Sequence, residues 1–319
     1  QHVLILRSGF SNSRRDPSSL EEQEDLMNLS YRGEKGPVAC PGPSRTDSAY
    51  RMSRAFASLV RGAALPPAGR RVAHALVHAT TRADDDWFDG RMRDATQGET
   101  ASASDIRTIL GVAASHDNRL LRAGLEHLWQ ASLIDECDLA HRGRAVRWRW
   151  SQDALEAIFA AGSYGILDAD ILPFVRNIAG LCLHEEIGMV RRMRRPAADI
   201  PALDLCSRLS GGPETPWERA RPHIASALQV LARRVGVHAL CGLVRHPYSE
   251  EIVAVHVRLV HAETRWTERA MGEWPARCSS ILVANPAGGK PHRVRCHDAP
   301  GLGRDMLAIQ AGFTPRSCA

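Results

Sequence analysis

Lysine is almost missing from this chain of 319 residues. Only Lys35 and Lys290 occur among its 41 basic side chains, so arginine carries nearly all the positive charge. Aromatic residues are scarce at 5%, and there are four tyrosines. No apolar run approaches the ~20 residues that a membrane-spanning helix needs. The opening Gln1-His2-Val3-Leu4-Ile5-Leu6-Arg7 is too short for the apolar core of a secretory leader and lacks its cleavage pattern. The eight cysteines (Cys40, Cys137, Cys182, Cys206, Cys241, Cys278, Cys296, Cys318) include no C-x-x-C pair. That argues against a zinc ribbon or a disulfide scaffold and suits free thiols in a reducing cytoplasm. No phosphate-cradling G-x-x-x-x-G-K-[ST] is present, so nothing suggests ATP hydrolysis.

What the chain does contain is ordinary for a globular protein: 44% hydrophobic and 24% charged residues, in a length that fits one large domain or two average ones. Net charge is +5. Arginine suits forked contacts to phosphate oxygens and guanine edges. Residues 101–270, however, hold 21 arginines against 20 carboxylates. A nucleic-acid reading must therefore rest on where the arginines point.

Residues 1–48, with the acidic run Glu21 to Asp25 and breakers from Gly33 to Pro43, read as a flexible arm; 275–319, rich in proline and glycine, read as an irregular basic tail. Between them one order of elements occurs twice. Arg70–Thr80 is an apolar helix. Ser102 and Asp105 cap a second helix that Gly111 ends. A third runs from Ser115 to about Ser132, with Leu121, Leu125, Leu128 and Trp129 on one face. A strand-turn-strand follows, in which Val146, Trp148 and Trp150 alternate with Arg147 and Arg149. Three helices and a hairpin in that order make a winged helix.

A connecting helix, Gln152–Ala161, capped by Ser151, leads to the second copy. Its long helix spans Asp170–Arg192 with Pro173 in the first turn, and a short one spans Pro201–Leu209. The third runs Thr215–Val235 behind the capping box Thr215-Pro216-Trp217-Glu218. Pro222 should kink that helix or mark its true start. Strands near His238–Arg245 and Ile252–Val260 close the unit, with Val253, Val255, Val257 and Leu259 alternating with Ala254, His256 and Arg258. The expected fold is mainly α with β-hairpins (α+β): winged-helix domains at 49–162 and 163–274 between irregular ends.

Enzyme motifs fall short. His184-Glu185-Glu186-Ile187-Gly188 has glycine where the zinc motif H-E-x-x-H needs its second histidine. His74 and His78 are wrongly spaced for a rolling-circle nickase. Cys278, Cys296, His297 and Cys318 lack ligand-pair spacing. Gly301-Leu302-Gly303 follows no strand, and Asp84-Asp85-Asp86 reads as a solvated loop. No cofactor, metal or catalytic residue is expected.

From about Thr100 to Glu263 the chain resembles iteron-binding plasmid replication initiators of the tandem winged-helix type. The likeness lies in Ser102 to Gly111, Asn118 to Leu128, Arg147-Trp148-Arg149-Trp150, Tyr164-Gly165-Ile166-Leu167-Asp168 and the Trp217-centred helix with its hairpin. It implies a non-enzymatic protein that binds repeated double-stranded sites at a plasmid origin, opens adjacent DNA and recruits host replication proteins; a homodimer is compatible with that scheme.

In such modules the third helix enters the major groove. On the first, Ser115, Asn118, Arg119 and Arg122 face away from the leucines, and Arg142, Arg144 and Arg147 suit phosphates or the minor groove. The second offers Arg219, His223, Ser226 and Arg233, with Arg245 and His246 near its hairpin tip. The bland alternative for each is a solvated helix face, and the run Arg191-Arg192-Met193-Arg194-Arg195 equally suits a helix C-terminus. A subunit of a larger nucleoprotein complex, such as a CRISPR-type effector, and a transcriptional regulator are the competing functional readings.

Overall fold

Four polar side chains start four of the helices. Ser53, Ser102, Ser151 and Asn177 stand in extended backbone and accept hydrogen bonds from the amides of Phe56, Ser104, Ala154 and Gly180. Each satisfies an amide that the first helical turn leaves without a partner. The computed structural model describes residues 48–81, 96–115, 117–206, 217–249, 251–261, 274–275, 278–287 and 291–295. The expected N-terminal arm, up to residue 47, lies outside them.

The described chain runs β1 (Ala49–Ser53), α1 (Arg54–Gly62), α2 (Pro67–Thr80), β2 (Glu99–Ser102), α3 (Ala103–Ile109), α4 (Arg119–Gln130), β3 (Ile134–Leu139) and β4 (Ala145–Trp150). It continues with α5 (Gln152–Ile158), β5 (Tyr164–Asp168), α6 (Ile178–Val190), β6 (Ala197–Pro201), α7 (Ala202–Cys206), α8 (Trp217–Val235), β7 (Val237–Arg245), β8 (Ile252–His261), β9 (Cys278–Ala284) and β10 (His292–Arg295). The sheets are small and antiparallel, in the orders β1-β5, β2-β4-β3 and β10-β9-β7-β8-β6. The fold is α+β.

Several boundaries differ from expectation, each for a local reason. Helix α4 begins at Arg119 because Asp117 Oδ1 accepts from the Arg119 amide at 2.8 Å, closing a turn ahead of it. Trp129, expected inside, is 45% exposed. It lies about 80° around the helix from Leu121, while Gly124 sits on the buried face against Val72. The expected hairpin gains a third strand, β2, which pairs with β4.

The long helix starts at Ile178 rather than Asp170, and Pro173 precedes it. Asp168 caps a short 3-10 turn at Ala169–Ile171, and Asn177 then opens the helix proper. Helix α7 ends its described course at Cys206; Thr215 and Pro216 of the capping box lie outside the described residues. Helix α8 passes through Pro222 instead of starting there.

The second hairpin does not alternate as expected. Val253 is 38% exposed and His256 is buried, its ring 5.1 Å from that of Trp274 with an Asp199 oxygen 2.7 Å from Nδ1. The segment expected as an irregular tail contributes β9 and β10. Ile281-Leu282-Val283-Ala284 is buried throughout, so it shows the unbroken apolar run of a strand covered on both faces, with no alternation to reveal it.

All thirteen residues of α6 are buried, including His184, Glu185 and Glu186. Arg70 Nε and Nη2 donate to Glu185 at 2.9 and 2.6 Å, and Arg61 donates to Glu185 and to Glu186. His74 Nε2 lies 3.0 Å from Glu185 Oε1, and the Tyr50 hydroxyl lies 2.6 Å from His74 Nδ1. Burial alone would raise the Glu185 carboxyl, but Arg70, the bond to His74 and Arg61 together hold it well below its ordinary value. This cluster joins β1, α1 and α2 to α6, and the β1–β5 pairing runs alongside it.

Candidate nucleic-acid interface

The first expected group of residues gathers around the start of α4 and the β3–β4 connection. Arg119 is exposed, with its side chain 90% accessible; its guanidinium pairs with the Asp117 carboxylate. Arg122, one turn on, is exposed, as is Ser115, whose hydroxyl accepts from the Asp117 amide at 3.2 Å. Arg147 projects into solvent from β4, opposite Asp138 of β3. Its neighbour Arg149 is paired with Glu136 at 2.7 Å.

Asn118 is half-buried and held at both ends. Its Oδ1 accepts from Arg107 Nη1 at 2.7 Å, and its Nδ2 donates to the Gly143 carbonyl at 2.9 Å. The edge that would pair with adenine is thus turned onto the protein. Gly143 belongs to an unusual turn in which His141, Arg142 and Gly143 have φ of 51°, 57° and 80°. Left-handed backbone costs a non-glycine residue about 1–2 kcal/mol, and the Asn118 bond to Gly143 ties the turn to α4. Arg142 and Arg144 flank that glycine and are exposed. Together with Ser102, Ser104, Arg107 and Asn118 they line a concave pocket of about 370 Å3.

The second group lies on α8 and the β7–β8 hairpin. His223, Ser226 and Arg233 are exposed on the helix; the Arg219 side chain lies outside what is described. Arg245 is half-buried beside an irregularity in the β7–β8 pairing, His246 is exposed, and the His246 amide closes the turn onto the Glu251 carbonyl at 2.8 Å. Arg234 stacks 3.8 Å over the Phe174 ring. After α6, Arg191 is half-buried while Arg192, Arg194 and Arg195 are exposed.

Two contributors escaped the sequence reading. Arg107 enters the pocket from α3, eleven residues before Asn118, and only the folded turn brings it there. Tyr248, at the tip of the second hairpin, is 91% exposed, the most exposed large apolar side chain described. Its place after the turn residues His246-Pro247 was the available signal. Among the described residues no group of three or more His, Cys, Asp or Glu is placed to hold a metal ion. Cys296, His297 and Cys318 lie outside those residues, as does Asp84-Asp85-Asp86. No helix among the described residues is long and apolar enough to cross a membrane.

No protein-family model and no curated protein matches the chain. A solved structure does. The chain is similar to a Pi initiator protein crystallised in complex with iteron DNA, with a TM-score of 0.51 and 10% sequence identity. The match covers 69% of this chain and 100% of that one. At that identity the likeness is one of fold.

Proposed function

We propose that the protein is a non-catalytic, sequence-specific double-stranded DNA-binding protein with two tandem winged-helix units, acting at repeated sites of a plasmid origin to initiate replication. The observation that carries this reading is the exposed arginine set Arg119, Arg122, Arg142, Arg144 and Arg147, displayed by one helix and the hairpin beside it. A helix with an adjacent β-ribbon is the arrangement that reads a major groove while gripping the flanking backbone. The fold shared with an initiator solved on iteron DNA supports the same assignment.

Roles follow from exposure. Arg119 and Arg122 face base edges, each able to contribute about 1–3 kcal/mol of discrimination at a guanine. Arg142, Arg144 and Arg147 meet phosphates. His223, Arg233, Arg245 and Tyr248 form the corresponding face of the second unit. Arg119 gives up its exposed pair with Asp117 on binding, a minor loss because ion pairs in water contribute about 0–1 kcal/mol.

The test is a titration of the full chain against duplexes carrying direct repeats from its own replicon and against shuffled duplexes of equal composition. Tighter binding to the repeats is the expected result. Equal affinity for both would refute sequence-specific recognition.

A further inference from the structure

We propose that the pocket between α3, the start of α4 and the β3–β4 turn seats one phosphodiester of the bound duplex, and that Asn118 is its positioning residue. The inference rests on the DNA-binding reading and adds a defined anion site to it, with a role for Asn118 other than base recognition.

The chemistry of the lining points to phosphate. Three arginines, Arg107, Arg142 and Arg144, line one concavity together with Ser102 and Ser104, and no acidic residue lines it among the described residues. Guanidinium forks and hydroxyls are the usual donors to phosphate oxygens. A volume of about 370 Å3 lies at the small end of ligand pockets and accommodates a phosphate with its sugar.

Asn118 makes the site a built one. It holds the Arg107 guanidinium through Oδ1 and the Gly143 carbonyl through Nδ2, so one side chain ties α3 to the backbone of the turn that carries Arg142 and Arg144. The turn leaves no slack: a Cβ on Gly143 would lie 2.6 Å from Asn118 Nδ2. Two consecutive non-glycine residues in left-handed backbone just before that glycine are the kind of strain that persists where geometry serves binding. A free phosphorylated small molecule offers the same chemistry as a DNA backbone. The further exposed arginines on the same elements, Arg119 next to Asn118 and Arg147 on β4, favour a continuous polyanion.

The experiment uses the full chain and a duplex that it enriches from a randomised pool, resynthesised with a neutral methylphosphonate at one backbone position at a time. Wild type should show, apart from any position met by Arg147, a position where the substitution weakens binding roughly tenfold or more, as expected for losing hydrogen bonds to a charged group. Arg144→Gln and Asn118→Ala, both confirmed folded by thermal unfolding, should bind more weakly and lose that selective sensitivity, whereas Arg119→Ala should retain it. Undiminished sensitivity in Arg144→Gln and Asn118→Ala overturns the pocket assignment while DNA binding stands. Failure to enrich any duplex overturns the DNA-binding reading and the pocket with it. Thermal stabilisation of wild type, but not of Arg144→Gln, by inorganic phosphate over sodium chloride of equal ionic strength, together with undiminished duplex binding by Arg144→Gln, would assign the pocket to a free anion and overturn the backbone assignment.

Discussion

Arg70 and Glu185, 115 positions apart in the chain, meet through two hydrogen bonds of 2.9 and 2.6 Å in the buried cluster that joins α2 to α6. Removing one partner of a buried pair strands the other charge without solvent. Glu185→Ala should therefore cost about 3–5 kcal/mol of folding stability, more than Asp204→Ala, whose contact with Arg61 is 3.5 Å long and partly exposed. Urea unfolding of both variants checks the ranking; equal losses would contradict the buried pairing of Glu185 with Arg70.

Acid should weaken the fold before the carboxylates titrate. His184 is buried, and its Nε2 has no hydrogen-bond partner among the described residues. Burial first, and then neighbouring His74, bring its pKa down from 6.5 to about 3. Its folded value lies below its unfolded one, so the stabilisation is complete above about pH 6.5 and is lost as pH falls toward 3, by about 1.4 kcal/mol per pH unit. Glu185, also depressed, adds to the loss only below about 4.5. His184→Leu should flatten the profile between pH 6.5 and 4.5 in equilibrium unfolding. An unchanged slope in that variant would show that the acid sensitivity comes from another group.

Strand β5 and helix α6 touch through two glycines. A Cβ at Gly165 would lie 2.7 Å from backbone atoms of Gly188 and Met189, whereas one at Gly188 would meet the Leu167 side chain at 2.7 Å. Backbone yields less readily than a leucine side chain. Gly165→Ala should therefore lose about 1–3 kcal/mol or more and Gly188→Ala less, read as shifts in the urea midpoint. The opposite order would contradict the packing described.

Arg119 and Arg122 are assigned to bases and Arg144 to phosphate, and these roles separate experimentally. Alanine at Arg119 or Arg122 should reduce the preference for the best duplex over single-base variants by about 1–3 kcal/mol at the affected position. Arg144→Ala should weaken binding to all duplexes alike. Competition titrations against a single-substitution series distinguish the two patterns.

The local signals were legible in the sequence: Ser102 and Ser151 as caps, Gly111 as a helix end, and the alternation of Val146, Trp148 and Trp150 all describe the observed elements. Signals that depend on distant partners were not. The Ile281–Ala284 strand carries no alternation because both its faces are covered. Helix α6 encloses three polar side chains that read, in sequence, like a broken metal motif, and only the fold supplies Arg61, Arg70 and His74 around them. At the candidate interface, the outward direction of Arg119 and Arg122 follows from helical spacing. The hold of Asn118 on Arg107 and Gly143 depends on a turn that no periodicity encodes.

The most direct test is the salt dependence of binding to a selected duplex. If the pocket of Arg107, Arg142 and Arg144 neutralises one phosphate and Arg147 another, a log–log plot of affinity against salt should have a slope of about −1.8 or steeper, and Arg144→Ala should reduce its magnitude by up to about 0.9. A wild-type slope near zero, or one that Arg144→Ala leaves unchanged, would contradict the account.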